Sequence, residues 1–314
     1  MSLPSKFHLS PDVAAETGIH IGDGGLSIKR GGPHGHYQYE VTGHALEDQL
    51  YLIGTVMPTI SAAYDLQRPG FYINPEQTWI SLRYQSKAVA LFKHETLGLP
   101  NGRKQNLSIP EAFRSDAHLM RPLARELLAT DGLLGFYHAG RKRVHKYPRI
   151  QIKLKMCPAM EQLASFLRND LGFRVSCRSI LGIHEGRNTS LQQILQINGS
   201  EDVDTWRREI GFSNPSHISR MMVFELYGEC PARTSIVDRL SMLSGPFPGS
   251  DRASKPLLRQ DLISLMGEMR KRFGFPRLEG RTILHSMTRI SSRIESRLGR
   301  GLPPIVNLRA AGEI

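Results

Sequence analysis

Apolar residues recur along this chain with two alternating periods. From Pro11-Asp12 to Gly22 the spacing is helical, with Asp12 near the positive end and Gly24-Gly25 as the stop. Leu26–Arg30 and Tyr37–Thr42 then alternate residue by residue around the turn Gly31-Gly-Pro-His-Gly35, which predicts a hairpin. A helix over 45–60 is predicted from Leu50, Leu52, Ile53 and Val56. A second hairpin is predicted over 63–74 and 78–84. On its second strand Trp79, Ser81 and Arg83 share one face, and Ile80, Leu82 and Tyr84 the other. A helix over 87–96 ends at Leu97-Gly98, and Pro100–Asn106 is a basic loop.

The order helix, hairpin, helix, hairpin, helix then recurs. Helix 119–131 is followed by strands 133–137 and 149–155, helix 158–171 closed by Gly172, strands 174–180 and 190–197, and helix 201–210 closed by Gly211. Gln49-Leu50 matches Gln162-Leu163, Leu82-Arg-Tyr84 matches Leu195-Gln-Ile197, and Leu97-Gly98-Leu99 matches Ile210-Gly211-Phe212, each 113 residues on. Three matches at one offset argue for internal duplication. We read residues 1–112 as the first repeat and 113–225 as the second. Residues 226–314 form a helical extension, with a short helix at 235–243, a linker at 244–250 and amphipathic helices at 257–273 and 282–298.

Composition changes this picture in one direction. A net charge of +12 and a pI near 9.8 favour a polyanionic partner, nucleic acid before membrane. Residues 251–314 hold 13 Lys+Arg and 6 Asp+Glu, so +7 of the +12 lies there. Arg289, Arg293, Arg297 and Arg300 line one helix side, as either a phosphate-contacting surface or a solvated face on an interaction helix. The three cysteines form no CxxC pair, which disfavours a zinc ribbon or disulfide framework and fits a reducing cytoplasmic setting. No apolar run reaches the roughly 18 residues of a membrane span, and HExxH, Walker and GxSxG motifs are missing.

The candidate chemistry lies where the repeats begin. Glu16–Gly24 carries Gly18 and Gly22 one turn apart and ends in Asp23-Gly24; Leu123–Gly132 ends in Asp131-Gly132. Small residues at that spacing let two helices approach backbone to backbone, which would set Asp23 and Asp131 side by side as ligands for a divalent metal. One Asp-Gly is an ordinary helix stop. Two in equivalent places, in a basic chain, are read as a site. Lys104 follows the third helix of the first repeat, and its 113-residue partner is His217. Each is expected beside the carboxylates, stabilising phosphate charge, positioning water or contacting backbone phosphate. Lys29, Arg30, Tyr39, Arg83, Gln85, Arg149, Gln151, Lys153, Lys155, Arg178, Gln193 and Gln196 are long polar side chains on predicted strands. A curved sheet could lay them in a major groove, where Arg reads guanine and Gln reads adenine.

GIHIGDG at 18–24 and LLATDG at 127–132 resemble the two motifs of a LAGLIDADG homing endonuclease, and LGLPNGRKQNLSIPE (97–111) and IGFSNPSH (210–217) resemble the segments after each repeat in archaeal-type single-chain members. The resemblance covers about residues 12–225. It implies an α+β monomer of two pseudo-symmetric αββαββα halves, with two antiparallel saddle-shaped sheets over double-stranded DNA. It also implies a double-strand break at a long asymmetric site, dependent on Mg²⁺ with Mn²⁺ as a possible substitute. Carried over residue by residue, Asp23 and Asp131 are the metal-binding acids, with Gly22 and Thr130 beside them in the metal site. Gly18, Gly22 and Thr130 are the helix-packing positions, and Lys104 is the basic residue opposite His217. The second motif departs in carrying Glu126 at a tight contact, where a carboxylate must find a partner or splay the helices. A catalytically inactive binder on the same fold, an RNA maturase acting on its own intron RNA or a transcriptional regulator, is the alternative.

Overall fold

The computed structural model describes residues 7–244 apart from 32–34, 45–46, 67–68, 75–78, 139–145, 185–186 and 233. The expectations for 244–250, 257–273 and 282–298 therefore fall, but for Ser244, outside the described residues. The chain is α+β, with two four-stranded sheets of order β1-β2-β4-β3 and β5-β6-β8-β7.

Local sequence explains how each half begins. Helix α1 (Pro11–Gly22) opens with Ser10, whose hydroxyl accepts from the Val13 N–H at 3.2 Å, and with proline at the first turn. It ends at Asp23, whose N–H reaches the Ile19 carbonyl, and the chain turns directly into β1 (Gly24–Lys29). Helix α6 (Ala117–Asp131) is capped in the same way by Asp116, which accepts from the His118 N–H at 2.8 Å. Gly132 then carries it, in extended backbone, into β5 (Gly132–His138).

In the first half β1 pairs antiparallel with β2 (His36–His44), with Leu26 opposite Tyr39. The predicted helix over 45–60 is a longer composite: α2 (Gln49–Tyr51), a π-helical turn (Leu52–Val56) and α3 (Met57–Tyr64). Residues 63 and 64, read as the start of a strand, belong to this helix, and β3 is Gly70–Asn74. Pro58 would ordinarily break a helix, but the widened turn just before it already disrupts the i→i−4 ladder. Strand β4 (Trp79–Gln85) has the predicted facing, with Ile80, Leu82 and Tyr84 buried, although Ser81 is buried as well. The helix after it is α4 (Lys87–Leu91), and a second π turn (Phe92–Thr96) completes it.

The short α5 (Glu111–Arg114) leads into α6, and the second half follows: β6 (Lys146–Lys155), α7 (Pro158–Asn169), β7 (Val175–His184), β8 (Arg187–Asn198) and α8 (Ser200–Glu209). Helix α9 (Pro215–Tyr227) was not foreseen, although Asn214-Pro215 is a start signal: the Asn214 side chain accepts from the Ser216 N–H at 2.8 Å. Helix α10 is Ile236–Ser244.

Two compact units divide these elements. One comprises residues 1–42, 59–70 and 82–211; the other comprises 43–58, 71–81 and 212–314. The first buries Ile19, Ile21, Leu82, Leu123, Leu127, Ile152, Leu195 and Trp206. The second buries Leu52, Ile53, Val56, Ile218 and Val223 around a fully buried Arg239. The guanidinium donates to Ser219 Oγ at 3.0 Å, Ser216 Oγ at 2.8 Å and Glu47 Oε2 at 3.2 Å, so α10 is tied to α9 through a satisfied charge.

Candidate active site at the paired helix ends

Helices α1 and α6 cross in backbone contact, and the glycines are the reason. A methyl group on Gly18 would overlap the Leu123 carbonyl oxygen and lie 3.2 Å from Glu126 Cβ. One on Gly22 would overlap the Thr130 hydroxyl and lie 3.4 Å from Asp131 Oδ2. Asp23 and Asp131 therefore end two helices that are pinned together within one turn of their C-termini. Glu126 does not splay them. It is fully buried and accepts from Arg125 Nε at 2.7 Å, so its charge is met from its own helix. Thr130 packs against Gly22 and turns its hydroxyl back onto the Glu126 and Leu127 carbonyls at 3.0 and 3.2 Å.

Lys104 arrives through the loop after the π turn at 92–96. Asn101 clamps the open edge of β1: its Oδ1 accepts from the Ile28 N–H at 2.8 Å and its Nδ2 donates to the Ile28 carbonyl at 3.0 Å. The Gly102 N–H adds a bond to the Leu26 carbonyl at 2.8 Å. From there Lys104 Nζ donates to the Ile21 carbonyl at 3.1 Å and to the Gly22 carbonyl. Burial pulls its ammonium down to about 8, against the pull of Asp131 and Asp23 upward. Burial likewise pushes the Asp131 carboxyl up, and Lys104 opposes that shift. Asp23 and Asp131 thus partly offset the burial that would neutralise Lys104 on the last carbonyls of α1.

The donors suit a hard cation. They are carboxylate and carbonyl oxygens, and a divalent ion would relieve the cost of ionising the half-buried Asp131. Among the described residues no group of three or more His, Cys, Asp or Glu is placed so that it could by itself hold a metal ion. A cation held by Asp23 and Asp131 would therefore complete its shell with phosphate oxygens and water, the usual arrangement for magnesium.

The other expected site residues divide. His217 lies in the other unit, buried on the first turn of α9, where its N–H reaches the Asn214 carbonyl at 3.0 Å. In the second sheet the register puts Arg149, Gln151, Lys153 and Lys155 of β6 on the outer face. Gln196 of β8 and Arg178 of β7 lie on that face too. Gln151 and Gln196 face one another, with Gln196 Nε2 donating to Gln151 Oε1 at 3.0 Å. Gln193 is on the opposite face, 6% exposed, where it accepts from the Cys157 N–H at 3.2 Å and donates to Glu161 at 3.0 Å. It faces α7 because residues of one strand alternate and Leu195 and Ile197 share its parity. Tyr39 is likewise core, not surface.

In the first sheet Lys29 and Gln85 are exposed, as is Arg30, which lies just past the end of β1. Arg83 pairs with Glu40 at 3.0 Å, Arg30 with Glu95 at 2.6 Å, and Gln85 donates to Gln38 at 2.9 Å. The second sheet's outer face holds Arg149 against the Tyr137 ring at 4.0 Å, with the Tyr147 hydroxyl accepting from it at 3.0 Å. The sequence reading missed those two tyrosines, and it missed a buried polar cluster around Glu16 and Lys93. At the 113-residue offset Lys93 matches Trp206, a mismatch in polarity that could have exposed it.

No protein-family profile and no curated protein matches this chain. Solved structures similar to it include mesophilic variants of the homing endonuclease I-DmoI (TM-score 0.45, 20% identity, 64% of this chain and 88% of that one). I-DmoI in complex with DNA and Ca is similar too (TM-score 0.45, 19% identity, 64% and 88%), as is a mutant of I-SmaMI (TM-score 0.41, 10% identity, 70% and 92%). I-DmoI is described as a homing endonuclease, the class the two motifs resemble. At these identities and TM-scores the likeness assigns this chain neither membership nor activity.

Proposed function

We propose that this chain is a site-specific DNA endonuclease that makes a metal-dependent double-strand break at a long asymmetric site, acting as a monomer. The observation that carries the reading is the pair Asp23 and Asp131 at the ends of two glycine-packed helices, with Lys104 fixed on the carbonyls between them. Asp23 and Asp131 would hold Mg²⁺ or Mn²⁺, with the Gly22 and Thr130 main chain at the same helix ends. The bound metal supplies activation of water and stabilisation of the leaving oxygen.

The chain's own residues do the rest. Lys104 Nζ, still protonated at neutral pH, offers charge to a phosphate brought between the carboxylates. The pinned helices keep both carboxylates in place without reorganisation. Lys29, Gln85, Arg149, Gln151, Lys153, Lys155 and Arg178 supply groove and backbone contacts, with the buried Gln196 bonded to Gln151 behind them, and unequal halves require an asymmetric site. Arg30 and Arg83 must exchange an internal carboxylate for DNA, which lowers their contribution. His217, buried on the first turn of α9, has no role in this reading.

A second reading, binding of double-stranded DNA or intron RNA without cleavage, is favoured by one observation. Lys104 occupies the α1 carbonyls, so its ammonium could satisfy the carboxylates in place of a metal. A supercoiled plasmid library carrying candidate intron-insertion sites, incubated with Mg²⁺, separates the two. Linearised product lost on Asp23→Asn supports cleavage. Tight metal-independent binding with no nicking supports the binder.

A further inference from the structure

The two halves share one architecture and fill it with different chemistry. Beneath the first sheet Glu16, His20, Tyr39, Tyr64, Tyr84 and Lys93 are all buried together. Lys93 Nζ and the Tyr64 hydroxyl both donate to Glu16 Oε2, the latter at 2.6 Å. The Lys93 ammonium also lies 4.2 Å from the Tyr39 ring centroid and 5.3 Å from that of Tyr64. Both ring nitrogens of His20 and the Tyr84 hydroxyl have no hydrogen-bond partner among the described residues.

The second half has none of this. Aligning Asp23 with Asp131 sets Ala124 against Glu16 and Leu128 against His20. The strand registers set Ile150 against Tyr39, and the 113-residue offset sets Ile197 against Tyr84 and Trp206 against Lys93. All five are apolar and buried. Apolar residues thus close the same fold, and a buried ion pair holds no general stability advantage over them. The polar version serves something other than closing the core.

Lys93 shows what that is by its connections. Its side chain grips α1 at Glu16, while its own carbonyl accepts the Leu99 N–H at 2.9 Å. Leu99 opens the stretch that Asn101 and Gly102 stitch to β1 and that ends with Lys104 on the last carbonyls of α1. One continuous segment therefore holds α1 at two points, by a lysine at each. We propose that Lys93, paired with Glu16, is a positioning residue that fixes residues 93–104 against α1 and so holds Lys104 at Asp23 and Asp131.

This rests on the endonuclease reading for its kinetic consequence but not for its structural one. The test is the double variant Glu16→Leu with Lys93→Met, which imitates the apolar half and leaves no orphaned charge. Thermal melting should stay within a few degrees of the parent, and KM for DNA should not change. A displacement of about 1 Å at Lys104 would lower kcat roughly 100-fold. Independently of activity, amine-reactive labelling of Lys104, read by mass spectrometry, should rise several-fold. A folded double variant with parental Lys104 labelling overturns the proposal. If the double variant does not fold, Tyr64→Phe, which removes one donor from Glu16, should raise labelling to a smaller extent, and no rise overturns it. A parent chain that cuts no DNA would refute the endonuclease reading alone, since the labelling comparison still decides the role of Lys93.

Discussion

Replacing Gly18 by alanine tests the helix pair on which the site depends. Alanine by itself favours a helix by about 1 kcal/mol over glycine. Here its methyl would overlap the Leu123 carbonyl oxygen, a backbone atom that no rotamer change can move. A relaxed carbon–oxygen contact is about 3.3–3.6 Å, so α1 and α6 must separate by roughly 1 Å. Overpacking of this kind costs about 1–3 kcal/mol, which exceeds the propensity gain at its upper end and cancels it at its lower. At roughly 2–4 °C per kcal/mol for a fold of this size, Tm should fall by up to about 8 °C. The separation also moves Asp23 relative to Asp131, and a 1 Å misplacement is worth about 10²-fold in rate. Activity should therefore fall much further than stability. Gly22→Ala supplies the control, because its methyl meets the Thr130 side chain. Adding Thr130→Gly should recover most of that loss, while no side-chain change should rescue Gly18→Ala. The assay is calorimetric melting beside plasmid cleavage. A Gly18→Ala chain that melts higher and cuts at the parental rate would refute close backbone contact.

Asp131→Asn should lower cleavage on the order of 10²–10³-fold, the scale for losing one preorganised electrostatic group, with DNA binding kept; chelation by EDTA should abolish cleavage and added Mg²⁺ or Mn²⁺ restore it. Lys153→Gln should reduce the slope of log K against log salt by about 1, while Arg83→Gln should change it less, because Glu40 already neutralises Arg83; equal slopes would contradict the difference between the sheets. Burial and Glu161 push the Cys177 thiol up to about 11, so it holds little thiolate at pH 8. Its maleimide labelling should be roughly 100-fold slower than that of a free cysteine, should accelerate as pH rises toward 11, and should quicken in Glu161→Gln. Gln193→Leu should leave DNA affinity unchanged and alter Tm instead, since Gln193 bonds to Cys157 and Glu161 on the α7 side.

Much of the fold was legible because the repeat states it twice. The 113-residue offset placed Leu97-Gly98 and Ile210-Gly211 at equivalent helix ends, and both glycines have positive φ. The helix ends carrying Asp23 and Asp131 were legible for the same reason. Local period gave less where the backbone departs from a regular ladder. The π turn at 52–56 lets the helix run past Pro58 and take in residues 63 and 64, the expected start of a strand. Facing was legible only where polarity alternates: β6 reads correctly, whereas on β8 glutamines fall on both faces and Gln193 is caught by α7. Lys93 was hidden by its type, since a lysine is expected in water until a buried carboxylate is found beside it.

The loop that delivers Lys104 also occupies the exposed edge of β1. Its bonds to Ile28 and Leu26 use main-chain groups that would otherwise be free to recruit a strand from another molecule. Residues 101–102 are thus a guard against edge-to-edge association as well as a mount for the lysine. Insertions or proline at these two positions should produce a chain that aggregates during expression, and its lost activity would then say nothing about Lys104 itself.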